Sequence, residues 1–225
     1  MKHVALIPAF NEEETIREVI IHIKKYPHID IIVVDDGSND RTAEIAKKMG
    51  AIVLQHKTNK GKGEAIKTGF NYILKKHKAQ YTVLIDADMQ YHPSESVKLL
   101  KILENNEADF VMGIRDPRNV PYANRMGNFI WRTFFNSLFG AHFRDTNCGY
   151  MALNRRAIEK VKNIHGGYII ENAILRDVIK NKLRYKQIYV KVRYGKRKIR
   201  KFAKMFFGIW IFILWEGFKY RLGVK

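Results

Sequence analysis

One repeated unit constrains the fold more than any other feature of this sequence: a short apolar run rich in branched residues, then acids and turn formers, then a helical pattern. Val4 to Ile7 leads into Pro8-Ala9-Phe10-Asn11-Glu12, Ile29 to Val34 into Asp35-Asp36-Gly37-Ser38, and Tyr81 to Ile85 into Asp86-Ala87-Asp88 and Gln90. Between them, Ile16, Val19, Ile20 and Ile23 fall on one face at the 3.6-residue period, so the pattern predicts a helix over about 11–25. Further helices are predicted over about 41–49, 63–76 and 93–105, and further strands over 51–54 and 110–112. Strand, helix and strand repeated in this way need right-handed crossovers with helices on both faces. The expected fold class is therefore α/β, a doubly wound, mostly parallel sheet. Ligands of such sheets bind beyond the carboxyl ends of the strands. The three polar clusters fall there.

Charge narrows the partners without choosing among them. Of 225 residues, 41 are basic and 22 acidic, a formal charge of +19, which favours nucleic acid, phosphorylated metabolites or an anionic lipid surface. Cys148 is the single cysteine, so a disulfide framework is excluded and a reducing, cytosolic setting fits. The opening MKHVALIPAF reads as a first strand and lacks the build of a signal peptide. Export is not expected.

Asp86 and Asp88 follow the run YTVLI, and in an extended segment residues two apart point the same way, so both carboxylates can converge on one ligand. Hard divalent cations such as Mg²⁺ or Mn²⁺ take a few carboxylate oxygens and complete their shell with phosphate oxygens. Gln90 could add an amide oxygen. Aspartate after a strand is also a common helix cap, so the tripeptide alone leaves both readings open. Asp35 and Asp36 can accept from ribose hydroxyls or from a base, or can belong to a turn in which Asn39 or Asp40 caps the next helix. Asn59-Lys60-Gly61-Lys62-Gly63 lacks the Gly-Lys-Ser/Thr ending of a phosphate-binding P-loop. Its glycines suit a backbone that passes close to a ligand as a helix begins.

Taken jointly, the clusters at Pro8 to Glu12, at Val33 to Ser38 with Asp40 and Thr42, at Asn59 to Gly63 with Ala65 and Gly69, and at Asp86 to Asp88 resemble the family 2 inverting glycosyltransferases. Gly113-Ile114-Arg115, Arg125, Asp145 to Tyr150 and Gly167-Tyr168 with Glu171 look most like the polyprenyl-phosphate (dolichyl-phosphate) hexose synthases of that family. Cys148-Gly149-Tyr150 stands where those enzymes usually have Ser-Gly-Phe. The resemblance implies the GT-A nucleotide-diphospho-sugar transferase fold, a GDP-mannose or UDP-glucose type of donor, a Mg²⁺ or Mn²⁺ ion and a polyprenyl phosphate acceptor. It also implies roles. Pro8, Phe10, Glu12, Val34 and Asp36 would hold the nucleoside, with Asp86 and the Ala87 backbone beside the ribose. Asp88 and Gln90 would coordinate the metal, Asp88 and Arg115 would act in catalysis, and Arg125 and Arg193 would grip the acceptor phosphate. A lipid monophosphate is already ionised near neutral pH, so no strong base is needed, and a metal with arginines can neutralise the departing diphosphate.

The expected domain organisation is a catalytic domain over 1–198, with a nucleotide-binding half (1–116) and an acceptor half (117–198), followed by a basic and aromatic tail over 199–225. From Arg176 to Lys201 there are twelve Lys or Arg against one acid, Asp177. The run MFFGIWIFILW from Met205 to Trp215 is too short to span a bilayer, which takes roughly 20 apolar residues. Basic residues before an aromatic helix are the composition of an amphipathic segment lying in an anionic membrane interface, though a core or dimer contact has the same composition. Ala123 to Phe139 is a second amphipathic candidate, equally open between lipid and core. The expectation is a cytoplasmic enzyme held peripherally on the cytoplasmic face of the membrane. The alternatives are a non-lipid acceptor, a nucleotidyltransferase on the same sheet, or a basic nucleic-acid-binding protein. The last gives no reason for acids at successive strand ends, so nucleic acid is not an expected partner.

Overall fold

The computed structural model describes residues 2–116, 118, 122–161, 164, 170–192 and 214–222. Among these, seven strands form one sheet: β1 (His3–Ala9), β2 (Ile29–Asp35), β3 (Ile52–Gln55), β4 (Tyr81–Leu84), β5 (Phe110–Arg115), β6 (Met151–Asn154) and β7 (Tyr185–Val190). Their spatial order is β3-β2-β1-β4-β6-β5-β7. β1 pairs in parallel with β2 and β4, β2 with β3, and β5 with β7. β6 is the exception, antiparallel to both β4 and β5. The helices are α1 (Ile16–Lys24), α2 (Thr42–Lys48), α3 (Lys62–Lys75), α4 (Ser96–Glu104), α5 (Tyr122–Phe139), α6 (Arg155–Lys160) and α7 (Ile170–Lys180), with a further helical segment at 214–221.

The apolar runs read from the sequence lie where a doubly wound sheet needs them. Every residue from Val4 to Ala9 is buried, so β1 must be covered on both sides of its pleat. α1 packs on α2 and on the 3₁₀ turn Pro93–Glu95 that leads into α4, while α3 packs on β1, β2 and α6. Ile16, Val19, Ile20 and Ile23 are the buried face of α1, as their period requires. That helix starts later than the pattern suggests. Asn11 takes a left-handed conformation (φ 53°), and the Glu12 carbonyl accepts from Thr15 and Ile16 N–H, so residues 11–15 form the turn that aims the end of β1. The helix predicted over 93–105 likewise splits at Ser96, because Pro93 opens a 3₁₀ turn before α4.

The second amphipathic stretch divides its aromatics between core and surface. Trp131, Phe135 and Phe139 of α5 are buried, whereas Phe129 is 55% exposed. Segment 214–221 docks on α5: Phe139 and Tyr220 rings are 5.4 Å apart, Arg221 Nε donates to the Leu138 carbonyl at 3.2 Å, and Glu216 pairs with Arg176 of α7 at 2.9 Å. Gly217 permits this approach, because a Cβ there would meet Leu138 at 2.7 Å. The outer side of the segment carries Trp215 and Phe218, 64% and 58% exposed. Residues 205–213 of the aromatic run lie outside the described residues.

Gly69 of α3 shows how closely helix and sheet meet: a Cβ there would clash with Leu6 Cδ1, and Leu6 is fully buried in β1. Alanine normally favours a helix interior over glycine by up to about 1 kcal/mol, but overpacking a core costs about 1–3 kcal/mol. Gly69→Ala is expected to destabilise the protein by about 1–2 kcal/mol in chemical denaturation. A neutral or stabilising effect would contradict this packing.

Candidate functional site

The loops after β1 and β2 are stitched together, and the stitching sorts their polar residues by task. Asn11 N–H donates to Ser38 Oγ at 2.9 Å, and Asn11 Oδ1 accepts from Asn39 N–H at 2.9 Å. Glu12 N–H donates to Thr42 Oγ1 at 2.8 Å, and Glu13 N–H to Asp40 Oδ2 at 3.1 Å. Asn11, Ser38, Asp40 and Thr42 therefore hold backbone. Asp35 alternates to the other side of β2 from Asp36, where Ser38 donates to its Oδ1.

What remains faces a cleft of about 420 Å³ at the carboxyl ends of β1, β2 and β4. Pro8, Phe10 and Glu12 line one side, Asp36 with Asn59 and Gly61 another, and Asp86, Ala87 and Asp88 with Lys62 the third. Phe10, 40% exposed, offers a ring face. Val34, the other residue expected near the nucleoside, is fully buried inside β2 beside Pro8 of β1, so it supports the floor from beneath.

Asp36 is buried and accepts three hydrogen bonds: Lys60 N–H at 2.9 Å and Gly61 N–H at 2.7 Å from the turn that leads into α3, and His56 Nδ1 at 2.7 Å. Two glycines make this possible. Gly61 turns the chain with φ 94°, and a Cβ on Gly37 (φ 74°) would strike the Thr58 carbonyl carbon at 2.6 Å. The Asn59 to Gly63 segment thus packs its backbone on the acidic turn.

Asp86 and Asp88 reach the cleft by a different route from simple alternation. β4 ends at Leu84, residues 87–88 form a turn, and Met89 is left-handed (φ 57°). Asp88 Oδ1 accepts from Gln90 N–H at 3.0 Å, which fixes the turn. Asp86 Oδ1 is 2.7 Å from Lys62 Nζ, and the same ammonium is 3.4 Å from Glu171 Oε1 at the start of α7. Burial opposes the charge on Lys62, yet Asp86 and then Glu171 outweigh it and hold the ammonium above the ordinary lysine range. Gly149 is needed at this junction, because a Cβ there would approach Asp86 Oδ2 to 3.0 Å and Glu171 Oε1 to 3.3 Å. Neither Lys62 nor Glu171 was singled out by its residue type. The visible signals are a lysine in the glycine-rich segment just ahead of the helix predicted over 63–76, and an acid within the second-half motif.

Arg115 sits at the end of β5 with both edges of its guanidinium on Asp145, Nε to Oδ2 at 2.7 Å and Nη2 to Oδ1 at 2.9 Å. Asp145 is buried and Arg115 partly so, with Cys148 and Tyr91 close by. Burial pushes the Cys148 thiol up to about 12, so it is neutral at physiological pH. Arg125 is exposed on α5, and Arg193 lies outside the described residues. In the basic stretch, Arg176 pairs with Asp177 and Glu216, Arg184 with Asp109, and Lys186 with Glu107.

A profile of glycosyl transferase family 2 matches residues 4–162. A UDP-N-acetylglucosamine–dolichyl-phosphate N-acetylglucosaminyltransferase of Methanococcus voltae is 27% identical over 232 residues, covering 92% of this chain and 92% of that protein. A polyprenol monophosphomannose synthase of Mycolicibacterium smegmatis is 30% identical over 172 residues, 70% of this chain and 63% of that one. Among solved structures, glucosyl-3-phosphoglycerate synthase from Mycobacterium tuberculosis, crystallised with Mn²⁺, UDP and glucosyl-3-phosphoglycerate, superposes with a TM-score of 0.78 at 22% identity. That superposition covers 100% of this chain and 81% of the other. The fold is the GT-A fold of those structures.

The Lys62 bridge has a pH signature. In Lys62→Met, Asp86 and Glu171 face each other without a cation, and like charge raises the folded-state pKa of one of them above its unfolded value. Such a group stabilises the fold as pH falls and penalises it as pH rises. The variant is expected to lose about 1–3 kcal/mol at pH 7, with the deficit shrinking towards pH 4 in urea titrations. A pH-independent deficit would contradict the bridge.

Proposed function

The chain belongs to glycosyl transferase family 2, and from that membership we propose that it moves a hexose from a nucleotide-sugar to a polyprenyl phosphate at the membrane surface, with inversion. The observation that carries the proposal is one cleft that has Asp36 and the Phe10 ring in one part and Asp86 and Asp88 in another. The base suits the first, the ribose and a diphosphate with its cation the second. The acceptor class is supported by two relatives whose names specify dolichyl phosphate or polyprenol monophosphomannose. Those names differ in the sugar, so donors of the UDP-N-acetylglucosamine, GDP-mannose and UDP-glucose types all belong in the test.

In this reading Pro8, Phe10, Glu12 and Asp36 hold the nucleoside, Val34 supports them, and Asp86 with the Ala87 backbone meets the ribose. Asp88, with Gln90 beside it, would hold Mg²⁺ or Mn²⁺. The donor set fits: the cleft offers hard carboxylate oxygens, and among the described residues no group of three or more His, Cys, Asp or Glu encloses a metal, so phosphate oxygens would complete the shell. Bound there, the ion would neutralise charge on the departing nucleoside diphosphate. A fold neighbour crystallised with Mn²⁺ and UDP supports this cofactor class. Arg115, locked by Asp145, contributes a fixed positive charge at the end of β5, and Arg125 and Arg193 would grip the acceptor phosphate. The lipid phosphate needs no base, and one direct displacement at the anomeric carbon inverts it.

The membrane contact is assigned to α5 and segment 214–221. Their outward Phe129, Trp215 and Phe218 are exposed, as is Leu222 just beyond, and Arg132 and Lys219 stack over Phe129 and Trp215 at 5.3 and 4.9 Å. Aromatic rings beside basic heads suit an anionic interface, with the cytoplasmic leaflet as the partner. No helix among the described residues is long and apolar enough to cross a membrane.

Incubation with Mn²⁺, the donor panel and polyprenyl phosphate is expected to release nucleoside diphosphate with one donor only when lipid is present. Asp88→Ala is expected to lower that turnover by about 100-fold or more with unchanged circular dichroism. Turnover indifferent to lipid would redirect the acceptor assignment, and pyrophosphate release would indicate a nucleotidyltransferase. The double variant Trp215→Ser, Phe218→Ser is expected to weaken cosedimentation with anionic vesicles about tenfold without weakening nucleotide binding. Equal vesicle binding would remove these residues from the interface.

A further inference from the structure

His56 lies just past the carboxyl end of β3 with its side chain only 8% exposed, and the reaction chemistry above makes no use of it. Its backbone N–H donates to the Asp35 carbonyl at 2.9 Å, which brings the ring against Asp36. Nδ1 is 2.7 Å from Asp36 Oδ1, and Nε2 is 2.9 Å from Thr68 Oγ1. A carboxylate oxygen accepts, so Nδ1–H donates to Asp36, and Nε2 shares a hydrogen bond with the Thr68 hydroxyl. Both ring nitrogens are engaged, one on the cleft carboxylate and one on α3.

α3 also holds the other end of the cleft. Lys62, in its first turn, pairs with Asp86, and Thr68 lies six residues further along, a rise of about 9 Å. Asp36 and Asp86 are therefore tied to the same rigid helix: Asp86 through Lys62, and Asp36 by backbone N–H groups of the turn that enters α3 and, further along the helix, through His56 to Thr68. We propose that His56 is a positioning residue for the nucleotide: it suspends Asp36 from α3, so that this helix sets the spacing between the base end and the diphosphate end of the cleft. This inference rests on the nucleotide-sugar reading given above.

The test is calorimetric titration of the full chain with UDP and with GDP in the presence of Mn²⁺, followed by steady-state kinetics with the preferred donor and polyprenyl phosphate. Losing a hydrogen bond to a charged, buried group, His56→Leu is expected to weaken nucleotide binding about tenfold or more and to raise the donor KM in step. The kcat at saturating donor and the lipid KM should stay within about threefold. His56→Asn, whose amide nitrogen takes the place of Nδ1, is expected to recover affinity to within about threefold of wild type. Thr68→Val, nearly isosteric, removes only the α3 link and is expected to cost about three- to fivefold. Wild-type affinity in His56→Leu, or no recovery in His56→Asn, would overturn the assignment. If His56→Leu does not fold, Thr68→Val decides, and wild-type affinity there overturns it. A wild-type protein that binds neither nucleotide overturns the nucleotide-sugar reading itself and this inference with it.

Discussion

Carboxylates gathered at one edge of a sheet repel each other, and losing water raises the cost of keeping them charged. The opening of α3 supplies what offsets this. Lys60 and Gly61 aim backbone N–H groups at Asp36, and Lys62 sets its ammonium between Asp86 and Glu171. The turn ahead of the helix is suited to the task, since Gly61, with φ 94°, bends the chain so that two successive N–H groups meet one carboxylate. The glycines at 37, 61 and 149 follow from the same demand: at each the chain needs a left-handed turn or an approach that a Cβ would block.

The sequence made the first half legible because two independent signals coincide there. Continuous apolar runs marked β1, β2 and β4, and the acids after them marked strand ends at which a ligand could bind. Which polar residue faces the cleft was less legible. Asn11, Ser38, Asp40 and Thr42 belong to the same motifs as Glu12 and Asp36, yet they join the two loops to each other. Composition does not separate these tasks, because both use short polar side chains beside a turn.

The second half was harder to read for a physical reason. β6 is only Met151–Asn154, four residues whose apolar character fits helix or strand, and its antiparallel place between β4 and β5 depends on partners far away in sequence. The bonds that complete the site are long-range too: Lys62 reaches Glu171 across 109 positions, and Arg115 reaches Asp145 across 30. Local pattern carries no trace of such pairs. The amphipathic stretch over 123–139 illustrates a related limit, since its aromatics proved to serve both core and surface, Trp131 and Phe135 inward and Phe129 outward.

The account stands on the claim that Asp86 and Asp88 line the part of the cleft where a divalent ion is shared with the diphosphate of a nucleotide. Asp88 with Gln90 alone would bind such an ion weakly, so ion and nucleotide must each strengthen the binding of the other, and by the same factor. Titration of Mn²⁺ followed by electron paramagnetic resonance, with and without saturating nucleoside diphosphate, measures that coupling directly. The account predicts that the nucleotide tightens Mn²⁺ binding by about tenfold or more. Equal Mn²⁺ affinity in the two titrations would contradict it.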